Sequence, residues 1–219
     1  MKQLICFDLD NTLIKSYRAH VEAFVLAFNN HGLKVERRRI FPLLCGLPSS
    51  VIVNKLFPRL SDVKIKRIVK EHDYLVANQT YKLVRLMRGS LKVLKIIKKD
   101  YEIAVLSNCN HTEIKPLMKG AGISNDMYDL IVGKDQVRRS KPYPDELFKA
   151  EKLLKHKAVC MIGDSIFDVM AGKMAGVKTI SVLTGHNTRN ELKEKGADVI
   201  VKDITKVPSA LNKILIKEL

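Results

Sequence analysis

The chain has 219 residues, 46% of them hydrophobic, and a formal charge of +16 from 39 lysines and arginines against 23 aspartates and glutamates. That length holds one substantial core, or a core plus a small inserted domain, and the apolar fraction argues against disorder. No apolar run approaches the ~18 residues of a membrane span, and the start MKQLICFDLD is too briefly apolar for a signal peptide, so no membrane partner and a cytoplasmic location are expected.

Residues 4–9 form the first apolar run, which predicts a strand. From about Lys15 to Arg88 the pattern turns helical almost throughout. Tyr17, Val21, Phe24 and Phe28 make one apolar stripe, with a stop signal at 29–32. Cys45, Gly46, Leu47, Pro48 and Ser49 read as a loop leading into a short helix. Ile65, Ile68, Val69, Leu75 and Val76 make a second stripe behind an N-cap at Asp62. Five more β-rich runs follow at 103–106, 130–132, 159–162, 179–182 and 199–201, separated by turns and helix-like stretches. Runs without polar alternation suit strands covered on both faces, and alternation with helices points to βαβ units. The interval between the first two strands is too long for one crossover. The pattern therefore predicts an α/β fold with a parallel sheet and an all-helical domain inserted into it.

Phe7-Asp8-Leu9-Asp10-Asn11-Thr12 carries the most chemistry. An apolar strand runs straight into two carboxylates one residue apart, and a period of two sends Asp8 and Asp10 to one side. Buried together they demand a compensating cation or a function. The fourth strand likewise ends in Gly163-Asp164, with Asp168 four residues on; alone, Asp164 would read as a helix cap. Joined to Asp8 and Asp10, these acids become oxygen ligands suited to Mg²⁺. Ser107 and Asn108 close the second strand just before a helix start, where backbone N–H groups favour an anion. Lys141, fixed by Pro142, precedes a helix that Pro144 opens.

Together and in this order, the motifs resemble those of phosphatases of the haloacid dehalogenase superfamily: D-x-D-x-T as Asp8, Asp10 and Thr12, the serine motif as Ser107, the lysine motif as Lys141, and G-D-x-x-x-D as Gly163, Asp164 and Asp168. The chain looks most similar to phosphoglycolate-phosphatase-like members, through the position of the helical insertion, Gly46-Leu47-Pro48 and the K-P-x-P run. The resemblance implies a Rossmann-like core of strand order 6-5-4-1-2-3, formed by residues 1–14 and 88–219, with a helical cap at 15–87. Chain order would then reverse between strands 1 and 4, where open sheets bind ligands.

It also implies a magnesium-dependent phosphatase acting on a small phosphorylated metabolite. Asp8 would be the nucleophile that forms an aspartyl phosphate, and Asp10 the acid/base. Asp8, Asp164 and the Asp10 backbone carbonyl would hold the metal, and Asp168 would be a further ligand or an orienting group. Ser107, Asn108 and Lys141 would bind the phosphoryl group, while Thr12 would brace the turn. Within the cap, His20 is either a packed or surface histidine or a substrate contact. Arg37, Arg38 and Arg39 suit a solvated basic face better than a substrate contact. Lys15 departs from the acid common there in related phosphatases.

A sugar phosphomutase is the runner-up, and a phosphatase for nucleotide or nucleic-acid ends is the third reading. Nucleic acid is the disfavoured partner, because the basic residues are spread out and lack interleaved aromatics. A monomer and a homodimer are equally compatible. Cys6, Cys45, Cys109 and Cys160 show neither zinc spacing nor a disulfide framework, and Cys6 and Cys160 read as buried thiols.

Overall fold

The computed structural model describes residues 2–44 and 47–215. The first strand, β1 (Gln3–Asp8), is followed by the two-residue β2 (Ile14–Lys15) and by helices α1 (Tyr17–Asn30), α2 (Arg37–Ile40), α3 (Ser49–Leu56) and α4 (Asp62–Asn78). Then come β3 (Arg85–Leu86), α5 (Ser90–Ile97), β4 (Tyr101–Ser107), α6 (His111–Gly120) and β5 (Leu130–Gly133). The last part alternates α7 (Asp145–Leu154), β6 (Ala158–Gly163), α8 (Ile166–Met174), β7 (Lys178–Val182), α9 (Arg189–Glu194), β8 (Val199–Val201) and α10 (Val207–Leu215).

The six long apolar runs pair as one parallel sheet in the order β5-β4-β1-β6-β7-β8, which is the expected 6-5-4-1-2-3 read from the other edge. The central strand shows why its run does not alternate. Leu4 and Cys6 pack on one face with Ala104, Leu106 and Met161, while Ile5 and Phe7 pack on the other with Ile103, Val105 and Ile162. All four β1 residues are fully buried. Each large apolar side chain buried in this way contributes about 1.5–3 kcal/mol. The Cys6 and Cys160 thiols are buried and free, as expected, and so is Cys109.

Helices α1 to α4 lie between β2 and β3, which pair antiparallel and bring the two ends of this helical segment side by side. The first stripe is only partly internal: Val21, Phe24 and Phe28 are buried, whereas Tyr17 is 39% exposed. Phe28 sits between Phe24 and Phe57, with ring centroids 5.7 and 5.0 Å away. At the head of α4 the cap is Ser61, not Asp62; its side chain accepts from the Lys64 backbone N–H at 3.4 Å, and Asp62 is the first helical residue. The Ser61 backbone is extended, the conformation a cap requires, and Asp62 then suits the positive helix end. Cys45 and Gly46 lie outside the described residues; Leu47 and Pro48 lead into α3 as the loop reading expects.

Because Phe28 is fully buried and packs α1 against the end of α3 through Phe57, Phe28→Ala should cost about 3–5 kcal/mol of unfolding free energy, read as a lower urea midpoint.

Candidate active site

The carboxyl ends of β1, β4 and β6 meet around a cavity of about 450 Å³. Asp8, Asp10, Asn108, Lys141 and Asp164 all line it. A second groove of about 560 Å³ lies beside α4 and α6 and contains none of these five.

Asp8 is the last residue of β1 and is buried. Its Oδ1 accepts from Lys141 Nζ at 2.6 Å, while its Oδ2 is buried without a hydrogen-bond partner among the described residues. Lys141 Nζ donates also to Asp168 Oδ1 at 2.7 Å and to the Leu106 carbonyl at 3.1 Å. One ammonium thus ties together β1, β4 and α8. Burial raises the Asp8 pKa, Lys141 opposes that, and Asp168 and Asp10 raise it further, leaving it at about 7. Burial, then repulsion from Asp8 and Asp168, pushes Asp164 well above the carboxylate range. Oxygens of Asp8, Asp164 and Asp168 lie within 4.8 Å of one another.

The G-D-x-x-x-D segment resolves the capping question. Ser165 is the N-cap of α8; its Oγ accepts from the Asp168 backbone N–H at 3.3 Å. Asp168 Oδ2 answers by accepting from the Ser165 N–H at 3.0 Å and the Ser165 hydroxyl at 2.6 Å. Asp164 is therefore not spent as a cap, and both Asp168 oxygens are already taken by protein donors. Two glycines leave the room these contacts need. A Cβ on Gly163 would fall 2.3 Å from Asp168 Cγ, and one on Gly185 would fall 1.8 Å from Asp164 Oδ2.

Asp10 lies beyond the strand end, where the period of two no longer governs. Asn11 turns the chain with φ 59°, and Asp10 finds a partner set separate from that of Asp8. It accepts from the Ser16 hydroxyl, from Ser107 Oγ at 3.4 Å and from Cys109 Sγ at 3.4 Å, and His20 Nε2 stands 3.8 Å away. Burial would raise its pKa, yet His20, Ser16 and Cys109 hold it at about 2. The expectation that one strand face carries both carboxylates thus holds for the shared cavity but not for their contacts.

Thr12 is fully buried, and its hydroxyl reaches Asp164 Oδ1 at 3.4 Å, linking two loops. Asn108 donates to the Lys141 carbonyl at 3.1 Å, and its own Oδ1 is buried without a partner among the described residues. Ser107 is fully buried, turned toward Asp10 and Cys109. His20 is brought to the site. Arg37, Arg38 and Arg39 are exposed outside the cavity, with Arg37 paired to Glu22 and Arg38 to Glu36. Lys15 is exposed too.

The sequence reading did not find Cys109, His72, Glu113 or Thr184. Thr184 donates to the Asn11 carbonyl at 2.6 Å and so anchors the turn behind Asp10. The one available signal was Glu113, three residues after Asn110 in a capping-box pattern, where it accepts from the Asn110 N–H at 2.7 Å.

Residues 5–182 match the haloacid dehalogenase-like hydrolase family, and the chain belongs to that family. It is 28% identical over 98% of its length to "Probable phosphatase IndB" of Dickeya dadantii, covering 96% of that protein. It is 22% identical to a phosphoglycolate phosphatase of Haemophilus influenzae, covering 95% of this chain and 98% of the other. Its fold is shared by CbbY from Rhodobacter sphaeroides, solved with phosphate, at a TM-score of 0.78 and 23% identity over 94% of this chain and 96% of that one. The protein is accordingly a phosphatase-type hydrolase of this family.

Two stability measurements test this geometry. Lys141→Met strands Asp8 and Asp168 in a buried site, and urea unfolding in metal-free buffer should show a loss of about 3–5 kcal/mol. Glu146, in the first turn of α7, is fully buried, and burial raises its pKa from 4.5 to about 7. Between those values the folded chain holds a proton that the unfolded chain releases, so stability falls as pH rises through that window, by up to roughly 3 kcal/mol. Glu146→Gln removes the titration. Thermal unfolding should therefore place the variant above wild type at pH 8, with the gap narrowing toward pH 5.

Proposed function

We propose that the protein hydrolyses a small phosphorylated metabolite through an aspartyl-phosphate intermediate on Asp8. The observation that carries this reading is the Asp8 carboxylate, which lines the cavity: one oxygen is held by Lys141, and the other is buried and unpartnered among the described residues. In this reading that oxygen would attack phosphorus in line with the leaving oxygen.

The donor set fits a hard cation. Buried carboxylates outnumber the single lysine among them, and burial first, then mutual repulsion, raises the pKa values of Asp8 and Asp164, a strain a cation would relieve. Asp8, Asp164 and the Asp10 backbone carbonyl would hold Mg²⁺, which when bound offsets the repulsion between the nucleophile and a phosphate dianion. Asp168 orients Lys141, and Lys141 neutralises charge on the transferring group. Asn108 lines the cavity within reach of phosphoryl oxygens; the Ser107 hydroxyl would rotate away from Asp10 to join it. Asp10, held ionised by its neighbours, suits removal of a proton from the water that opens the acyl phosphate. Protonation of the leaving oxygen would draw on His20, whose Nε2 stands 3.8 Å from Asp10; burial opposes its charge, but Asp10 raises its pKa above the ordinary value. Thr12 and Thr184 hold the loops around these groups.

In this reading residues 1–14 and 88–219 are the catalytic core, and 15–87 cap it. His20, Phe24 and Ile52 from that segment line the cavity, so the segment would exclude water and select the substrate.

Phosphate release from phosphoglycolate, sugar phosphates, nucleotides and pyrophosphate tests the proposal. Wild type should release phosphate only with Mg²⁺, and Asp8→Asn should lower the rate about 10³-fold or more. Release that survives in Asp8→Asn would overturn the assignment of the nucleophile. Turnover of a sugar phosphate only as an isomerisation, dependent on a sugar bisphosphate, would favour a mutase instead.

A further inference from the structure

Behind Asp10, three helices bring together a cluster that includes two side chains, His72 and Glu113, that the hydrolytic scheme does not use. His20 comes from α1, His72 from α4 and Glu113 from α6. His72 and Glu113 are 2% and 1% exposed, and all three line the cavity. One ligand atom from each lies within 4.8 Å of the other two.

The ring nitrogens are disposed as metal ligands are. His72 Nδ1 lies 2.9 Å from Asp73 Oδ1, and Asp73 Oδ2 accepts from Asn110 Nδ2 at 2.6 Å. That chain keeps the His72 proton on Nδ1 and leaves a lone pair on Nε2. His20 directs Nε2 toward Asp10 and Nδ1 toward His72 Nε2, at 3.4 Å. A carboxylate behind each imidazole is the support that metal-binding histidines ordinarily have.

The 3.4 Å separation is at the long end of a nitrogen hydrogen bond. It equals the edge of a tetrahedral site: ligands about 2.0–2.1 Å from zinc stand about 3.3–3.4 Å apart. The third ligand is supplied independently. Glu113 Oε2 is engaged by the Asn110 N–H, whereas Oε1 is buried with no hydrogen-bond partner among the described residues. Burial holds the Glu113 pKa up at about 7, the mark of an anion whose charge is poorly compensated.

We infer that His20, His72 and Glu113 form a second metal site, for a borderline transition ion such as Zn²⁺, with its fourth position open to the cavity. Two imidazoles and a carboxylate favour that class over magnesium, which prefers the all-oxygen set around Asp8. Through His20 the ion would stand one side chain from Asp10. Occupancy would fix the His20 ring and lower phosphatase turnover; this consequence, unlike binding, rests on the hydrolytic scheme proposed above.

The test is calorimetric titration of chelator-treated protein with Zn²⁺ in saturating Mg²⁺. Wild type should bind one equivalent. Glu113→Gln keeps the shape and the Asn110 contact, and should weaken Zn²⁺ by at least about 10-fold. His72→Asn should weaken it likewise, with the fold of each variant checked by circular dichroism. Asp8→Asn should leave Zn²⁺ binding intact, which separates this site from the catalytic carboxylates. As a second readout, Zn²⁺ should raise the melting temperature of wild type and not of Glu113→Gln. No binding by wild type in Mg²⁺, equal affinity in Glu113→Gln, or loss of binding in Asp8→Asn would each overturn the inference. None of these outcomes depends on whether the protein releases phosphate.

Discussion

The Lys141 ammonium is the point on which the architecture converges. It is buried, and its three donors reach a carboxylate at the end of β1, a carbonyl near the end of β4 and a carboxylate on α8. A lysine in such a place loses its hydration and survives as a cation only because two carboxylates surround it, and its pKa accordingly stays well above the ordinary value. The compensation is lopsided. Asp8, Asp164, Asp168 and Glu146 share the same interior, so one positive charge meets an excess of acids. The fold thus maintains a site short of positive charge, held by elements from distant parts of the chain.

That deficit contrasts with the exterior, where the chain carries a formal +16. Basic residues such as Arg37 and Arg38 lie outside the cavity, partly offset by neighbouring acids. A positive surface field draws anions toward the protein as a whole, while the interior around Asp8 and Asp164 carries an excess of acids.

Much of the fold was legible because its signals were local. The six apolar runs became the six strands of one sheet, and the acids at their ends gathered where the chain order reverses between β1 and β6. The readings that shifted depend on one or two residues of backbone conformation. Strand β1 stops at Asp8 and Asn11 adopts a positive φ, so Asp10 departs from the periodicity assumed for it. A serine took the capping role at both α4 and α8, since its short hydroxyl reaches the first-turn N–H groups from extended backbone. His72 and Cys109 were illegible for another reason: each meets His20 only through elements far apart in sequence, and neither carries a local pattern distinguishing a buried polar role, while Glu113 showed only as the capping-box partner of Asn110.

The short pairing of Ile14 with Leu86 and Lys15 with Arg85 has a consequence for how such a molecule diversifies. The chain leaves the sheet and returns to it through adjacent strands, roughly 4.8 Å apart. The sheet therefore meets the same boundary whatever lies between. Lengthening a connection whose ends are already pinned costs only about 0.6 kcal/mol per doubling. This doorway lets evolution, or an engineer, exchange the intervening helices wholesale, changing the residues that line one side of the cavity while β1 and β4 keep their register.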